Sequence, residues 1–105
     1  MPDQVYLKIH RSGASEVIAV CDPHLLGKCI KDSKHILTIS ERFYEGMLVS
    51  RDEALDYIRQ AHNVNLVGSI ITSLVEQNVL RKDSILWIDD EDTGQRVPHV
   101  IIFRV

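Results

Sequence analysis

Cysteine is scarce in this chain of 105 residues, with only Cys21 and Cys29 present. That excludes a disulfide-built scaffold, in which several bridges stand in for a hydrophobic core. Tryptophan occurs once and phenylalanine twice. No apolar run approaches the roughly 18 residues that a membrane-spanning helix needs, so no membrane partner is expected. The N-terminus, "MPDQVYLKIH", lacks the basic stretch and apolar run of a secretory signal, and a cytoplasmic location is the expectation. A positive balance is missing too: 12 Lys and Arg face 15 Asp and Glu, for a net charge of −3. Residues 1–50 balance at six against six, and the remainder carries six against nine. Non-specific binding along duplex DNA is therefore disfavoured, since that needs a broad basic face. A local contact with single-stranded RNA is compatible with this charge, because stacking and specific hydrogen bonds contribute there. Repeats, low-complexity tracts and linkers are also absent, and a single domain over 1–105 is expected.

What is present reads as strands and two helices. In "QVYLKIH", Val5, Leu7 and Ile9 alternate with Tyr6, Lys8 and His10, the period of a half-buried strand. Gly13 marks a turn into "EVIAVC", a second strand paired as a hairpin. Asp22, Pro23 and Gly27 frame a single helical turn. "KHILTIS" predicts a third strand, and "ERFYEGMLV" a short hairpin or turn about Glu45 and Gly46. Ser50 and Glu53 form a capping box that opens a helix with Ala54, Leu55, Ile58 and Ala61 on its apolar stripe, and Val49 can staple onto Ala54. A second helix is expected from Asn65, with Gly68 at its third position and Leu66, Val67, Ile70, Ile71, Leu74 and Val75 as a buried face. Asn78 would end it in the left-handed conformation, with Val79 and Leu80 packing back. "SILWID" and "VPHVIIFRV" complete the strands, the last expected to be buried on both faces or central. The fold class is α+β: a mostly antiparallel sheet of about five to six strands with a helix pair packed on one face.

Candidate chemistry is dispersed along the chain. Cys21, His24, Cys29 and His35 have the side chains zinc prefers, but no paired knuckle spacing, so metal is a weak candidate and no cofactor is expected. The acidic "DDEDTG" imitates part of a calcium loop without its closing glutamate. "GKCIKDSK" gathers Lys28, Lys31 and Lys34 without the pattern of a phosphate-binding loop. Arg42 beside Phe43 and Tyr44 could stack on bases or grip a carboxylate. His99 is a weak candidate for proton transfer, with no nucleophile assignable to it. Asn65 and Gly68, read as a helix start, could receive an anion on free N–H groups, or the missing side chain of Gly68 could let the first helix or a strand approach closely.

In order, "YLKIHRSG", "VIAVCD" with "LLGK", "SERFYEG", "NLVG" and "VPHVIIFRV" resemble the archaeal domain of unknown function 424 family across essentially the whole chain. Cys29 and the acidic "DDEDTGQR" loop depart from that pattern. The resemblance implies a small archaeal cytosolic protein and carries no reaction, cofactor or catalytic residue. It also suggests the RNA and translation machinery as a setting.

Two functional expectations follow. The first is a non-catalytic binding module for RNA or a ribosome-associated protein, using Lys28, Arg42, Tyr44, Asn65 and Gly68. The alternative is a small anionic-ligand site or enzyme at the Asn65–Gly68 helix start, with His99 handling protons. An obligate protein partner, or a homo-oligomer such as a homodimer, using the final strand is a third reading.

Overall fold

The computed structural model describes residues 3–103. Eight strands and three helices follow one another as β1 (Gln4–Ser12), β2 (Ser15–Cys21), β3 (Cys29–Lys31), β4 (Ile36–Thr38), α1 (Glu41–Tyr44), β5 (Met47–Ser50), α2 (Arg51–Gln60), β6 (Asn63–Val67), α3 (Ile70–Glu76), β7 (Leu86–Asp89) and β8 (Arg96–Phe103). Short 3-10 turns occupy Pro23–Leu25 and Lys82–Ser84. Six strands form one sheet in the order β5-β1-β2-β6-β8-β7, and β3 pairs with β4 as a separate ribbon. All pairs are antiparallel except β2 with β6. This is the α+β architecture expected, with α2 and α3 together on one face.

Alternation along each strand divides the core between the two faces of the sheet. Val5, Leu7, Ile18, Val20, Val64, Leu66 and Val100 point toward the helices and meet Leu55, Ile58, Ile70, Ile71 and Leu74. Ala19, Cys21, Val67, Ile88 and Val97 point the other way, beneath Leu25, Ile30, Ile39 and Tyr44. That second layer comes from the first 3-10 turn, the β3–β4 ribbon and α1.

Local chemistry explains most boundaries. Ser50 Oγ accepts from the N–H of Glu53 at 3.1 Å, capping α2 where the sequence placed its start. Asn78 takes φ 59° after α3. Its N–H bonds the carbonyl of Val75, and that of Val79 bonds Leu74, which completes a Schellman motif and returns Leu80 to the core. Between Ser40 and Ser50 the expected turn is a single helical turn followed by strand β5. Ser40 Oγ caps α1 by accepting from Phe43 N–H at 3.0 Å. Gly46 then passes β1 so closely that a β-carbon would lie 2.8 Å from Lys8 Cα and also meet the Leu7 carbonyl.

Two expectations are corrected. Asn65 does not start a helix: Asn63–Val67 is strand β6, and α3 begins only at Ile70. Leu66, Val67, Ile70 and Ile71 fit a helical period, but Val64 and Leu66 also alternate with Asn63 and Asn65. Pairing with β2 and β8 on either side selects the strand. The final strand is central, lying between β6 and β7, but it is not buried on both faces. Ile101 and Phe103 are 67% and 77% exposed, because the ribbon and α1 stop short of them. The expected extension of that strand through Arg104 and Val105 lies outside the described residues.

Candidate functional site

Strand register sets side chains in rows across the face opposite α2 and α3. One row runs His10, Val17, Asn63 and Phe103, and the next Lys8, Ala19, Asn65 and Ile101. A third runs Tyr6, Cys21, Val67, His99 and Leu86. The strands thus contribute cationic, amide, imidazole and apolar groups to these rows, and no carboxylate. Helix α1 lies over the β1 end of the rows. Lys8 Nζ donates to the Arg42 carbonyl at 2.7 Å, and His10 Nε2 donates to the Phe43 carbonyl at 2.7 Å. The His10 and Phe43 rings stack at 4.5 Å.

Asn65 is the junction between the covered and the open part of this face. Its Oδ1 accepts from the buried Tyr44 hydroxyl at 2.7 Å and from His99 Nε2 at 3.0 Å. With the amide oxygen in that place, neutral His99 carries its proton on Nε2 and keeps a lone pair on Nδ1. Among the described residues, the one fully buried side-chain polar atom lacking a partner is Asn63 Oδ1. His99 Nδ1 and Asn65 Nδ2, which have no partner among the described residues, are therefore reached by solvent. The open strip offers an acceptor on His99, donors on Asn65, and the exposed Ile101 and Phe103 alongside.

Burial pushes the Tyr44 hydroxyl well above its usual range, with the neighbouring Cys21 adding to the effect; the group serves here as a donor, not an acid. The Cys21 thiol is pushed up to about 12, first by burial and then by the charge of Asp22. Cys29 is exposed. A thiol reagent at neutral pH should therefore label one cysteine quickly in the native protein and two in denaturant. Cys29→Ser should remove the quick reaction.

Burial holds His99 below the ordinary imidazole range. The folded state thus favours the neutral ring more than the unfolded chain does, so this contribution to stability is complete above the unfolded value of about 6.5. It declines as the pH falls from there toward the lower folded value. The melting temperature should accordingly fall more steeply between pH 7.5 and 5 in the native protein than in His99→Gln. Parallel slopes in the two proteins would contradict the assignment.

Gly68, just beyond β6, has φ +98°, and a β-carbon there would lie 2.8 Å from Asp22 Cγ and also meet Oδ2. The nearly buried Asp22 carboxylate accepts from Ser69 N–H at 2.8 Å and from Ser69 Oγ at 2.6 Å. Arg51 in turn donates to Ser69 Oγ at 2.8 Å, to the Ser69 carbonyl at 3.0 Å and to Ser73 Oγ. Gly68 N–H bonds the Pro98 carbonyl at 3.1 Å. The position expected to receive an external anion is filled by the protein's own carboxylate, and what Gly68 admits is the Asp22 side chain rather than the first helix or a strand.

The sequence candidates divide accordingly. Tyr44, Asn65 and His99 come together, with Cys21 beneath them and Arg42 exposed on α1. Gly68 is close in sequence but faces Asp22. Lys28 is exposed and held against Ile39 through its carbonyl, with no hydrogen bond or ion pair to Arg42, Asn65 or His99. His24 faces Gln95 at 3.4 Å, Cys29 faces Thr38, and His35 pairs with Asp32 at 3.2 Å. Among the described residues no three of His, Cys, Asp or Glu gather as a metal-binding group. In the acidic loop, Asp90 accepts from Lys31 N–H and Thr93 Oγ1, and these bonds hold its carboxyl below the usual range. Lys8, His10, Asn63, Ile101 and Phe103 were not among the sequence candidates. Their common signal is parity within strands, which becomes useful once the register is known.

These features define an α+β protein whose sheet is covered by helices on one face and left partly open on the other. The chain belongs to the family described as "Protein of unknown function (DUF424)", which it matches over residues 10–105. It is also similar to the protein in "Crystal structure of an uncharacterized conserved protein from Methanopyrus kandleri", with 33% identity and a TM-score of 0.70. That likeness covers 97% of this chain and 94% of the other. No curated protein matches the chain. Among the described residues no helix is long and apolar enough to cross a membrane.

Proposed function

We propose that the protein is a non-catalytic module that binds single-stranded RNA on the open strip of its sheet. The observation that carries this reading is the row containing Phe103, 77% exposed, beside Asn63 and one row from Asn65 and Ile101. An exposed ring on a sheet can stack under a base of any identity, and neighbouring amides can bond its edges. At the far end of the same row the His10–Phe43 stack supplies a second aromatic station. Three strand spacings separate the Cα positions of His10 and Phe103, or about 14 Å, a span suited to two or three nucleotides. Lys8 and exposed Arg42 supply positive charge where the strands contribute no carboxylate. The overall acidity favours a short single strand over a duplex.

Nothing in this arrangement requires catalysis. His99 is committed to Asn65, the Cys21 thiol is sealed, and the Asn65–Gly68 segment offers no free helix start. An archaeal, cytosolic setting belongs to the same reading, and the structural neighbour comes from an archaeon.

Fluorescence anisotropy with short labelled RNAs tests the proposal. Single strands should bind more tightly than the corresponding duplex, and Phe103→Ala should weaken binding roughly tenfold, since one stacked base contributes about 1–3 kcal/mol. Arg42→Ala should flatten the salt dependence by about 0.7 in the logarithmic slope. Equal binding of duplex and single strand, or an unchanged affinity in Phe103→Ala, would refute it.

A further inference from the structure

A second concavity lies on the opposite, helix-bearing side of the molecule. Thr72 and Val75 of α3, Lys82 and Ile85 of the following connection, and Trp87 of β7 line a groove of about 310 Å³. That volume falls at the lower end of small-molecule pockets, about 300–1,000 Å³. Its walls are mainly apolar: the Val75 and Ile85 side chains and the indole of Trp87, which remains 39% exposed. The two polar groups on it, the Thr72 hydroxyl and the Lys82 ammonium, have no hydrogen-bond or ion-pair partner among the described residues.

Charge identifies the kind of occupant. Of the carboxylates on these elements, Asp83 pairs with Arg81 and Asp89 with Arg96, each at 3.5 Å, while the exposed Glu76 on α3 forms no ion pair among the described residues. None lines the groove. Arg96 lies over the Trp87 ring at 4.7 Å, and its charge is partly balanced by Asp89. The Lys82 charge has no such balance. An apolar cleft with one unopposed ammonium and one hydroxyl suits a small molecule with an apolar body and a single negative head group.

We propose that this groove binds small organic carboxylates with an aromatic or branched aliphatic body. The apolar body would lie between Val75, Ile85 and Trp87, and the carboxylate would accept from Lys82 Nζ and Thr72 Oγ1. This site is separate from the sheet strip, so its test is independent of RNA binding.

Trp87 is the chain's single tryptophan, which makes its emission a direct reporter of the groove. Titration of the full chain with phenylacetate and 4-methylpentanoate, at constant ionic strength, should shift that emission saturably. The matching neutral probe, phenylacetamide, should bind at least tenfold more weakly, as expected for loss of a charge-assisted contact. Lys82→Gln should weaken phenylacetate binding about tenfold, whereas Lys82→Arg keeps the charge and most of the affinity. Thr72→Phe, at an exposed helix position, should block both acids by filling the groove. The proposal is overturned if neither acid gives a saturable shift, or if phenylacetamide binds as well as phenylacetate. An undiminished response in Lys82→Gln would also overturn it.

Discussion

Gly68→Ala is expected to destabilise the protein by about 3 kcal/mol or more, combining left-handed backbone strain with displacement of a buried hydrogen-bonded carboxylate. For a chain of this size that is a fall of roughly 12–24 °C in Tm. The cause is specific. At φ +98° a β-carbon is strained by the backbone alone, and here it would also meet the carboxylate of Asp22. Moving Asp22 would release Ser69 N–H and Oγ, and with them the seat of the Arg51 guanidinium. Asp22→Ala alone should also be costly, by about 1–3 kcal/mol, because it leaves the part-buried Ser69 N–H without its acceptor. The two substitutions should be markedly less than additive, since removing the carboxylate removes the obstacle to the new methyl group. Thermal denaturation of the two single variants and the double variant checks this. Strict additivity would mean that Gly68 is required for its backbone conformation alone.

The second large effect is expected at Asn65. Replacing it with alanine leaves the buried Tyr44 hydroxyl and His99 Nε2–H without their shared acceptor, at a cost of about 2–4 kcal/mol. Because Tyr44 fastens α1 to the sheet through this bond, α1 should also loosen. Faster amide exchange at Tyr44 and Glu45 would report that loosening. Tyr44→Phe should cost only about 1 kcal/mol, because Asn65 keeps His99 as a donor. Placed in the Asn65→Ala background, Tyr44→Phe should recover stability by removing the orphaned hydroxyl. If it destabilises that background further, the hydroxyl has a partner other than Asn65.

Local signals made much of this architecture legible. Alternation in "QVYLKIH", the Ser50 cap and the left-handed Asn78 each depend on neighbours within a few residues, and each is where the sequence placed it. Strand β6 was less legible because its identity depends on partners remote in sequence. Val64 and Leu66 satisfy a strand period, yet Leu66, Val67, Ile70 and Ile71 satisfy a helical one, and pairing with β2 and β8 selects between them. Gly68 presented a related difficulty. Its neighbour Asp22 is 46 positions away, so sequence could pose the choice between a close element and a ligand but could not decide it.

The candidate site was legible in part for the same reason. Tyr44, Asn65 and His99 were identifiable as polar or aromatic residues at unusual places, and the structure brings these three into hydrogen-bonding contact. Phe103 and Ile101 read as core because they belong to an apolar run. Such a run does not specify where a covering layer ends. Here the β3–β4 ribbon and α1 cover Cys21, Val67 and Val97 but leave the last two apolar side chains of that face exposed. Lys28 looked suited to join Arg42, yet the ribbon sets it apart from the Asn65 junction.

The measurement that tests the RNA-binding surface most directly is a titration of the labelled protein with a short single-stranded RNA, followed by NMR. Side-chain amide signals of Asn63 and Asn65, the Ile101 methyl groups and the Phe103 ring should shift together and saturably, while signals from Tyr57 on α2 stay in place. Shifts confined to the helix-bearing face, or none at RNA concentrations that saturate anisotropy, would contradict the account. So would movement of the strip's signals with protein concentration alone and a dimeric mass by light scattering, which would assign that surface to a second copy of the chain.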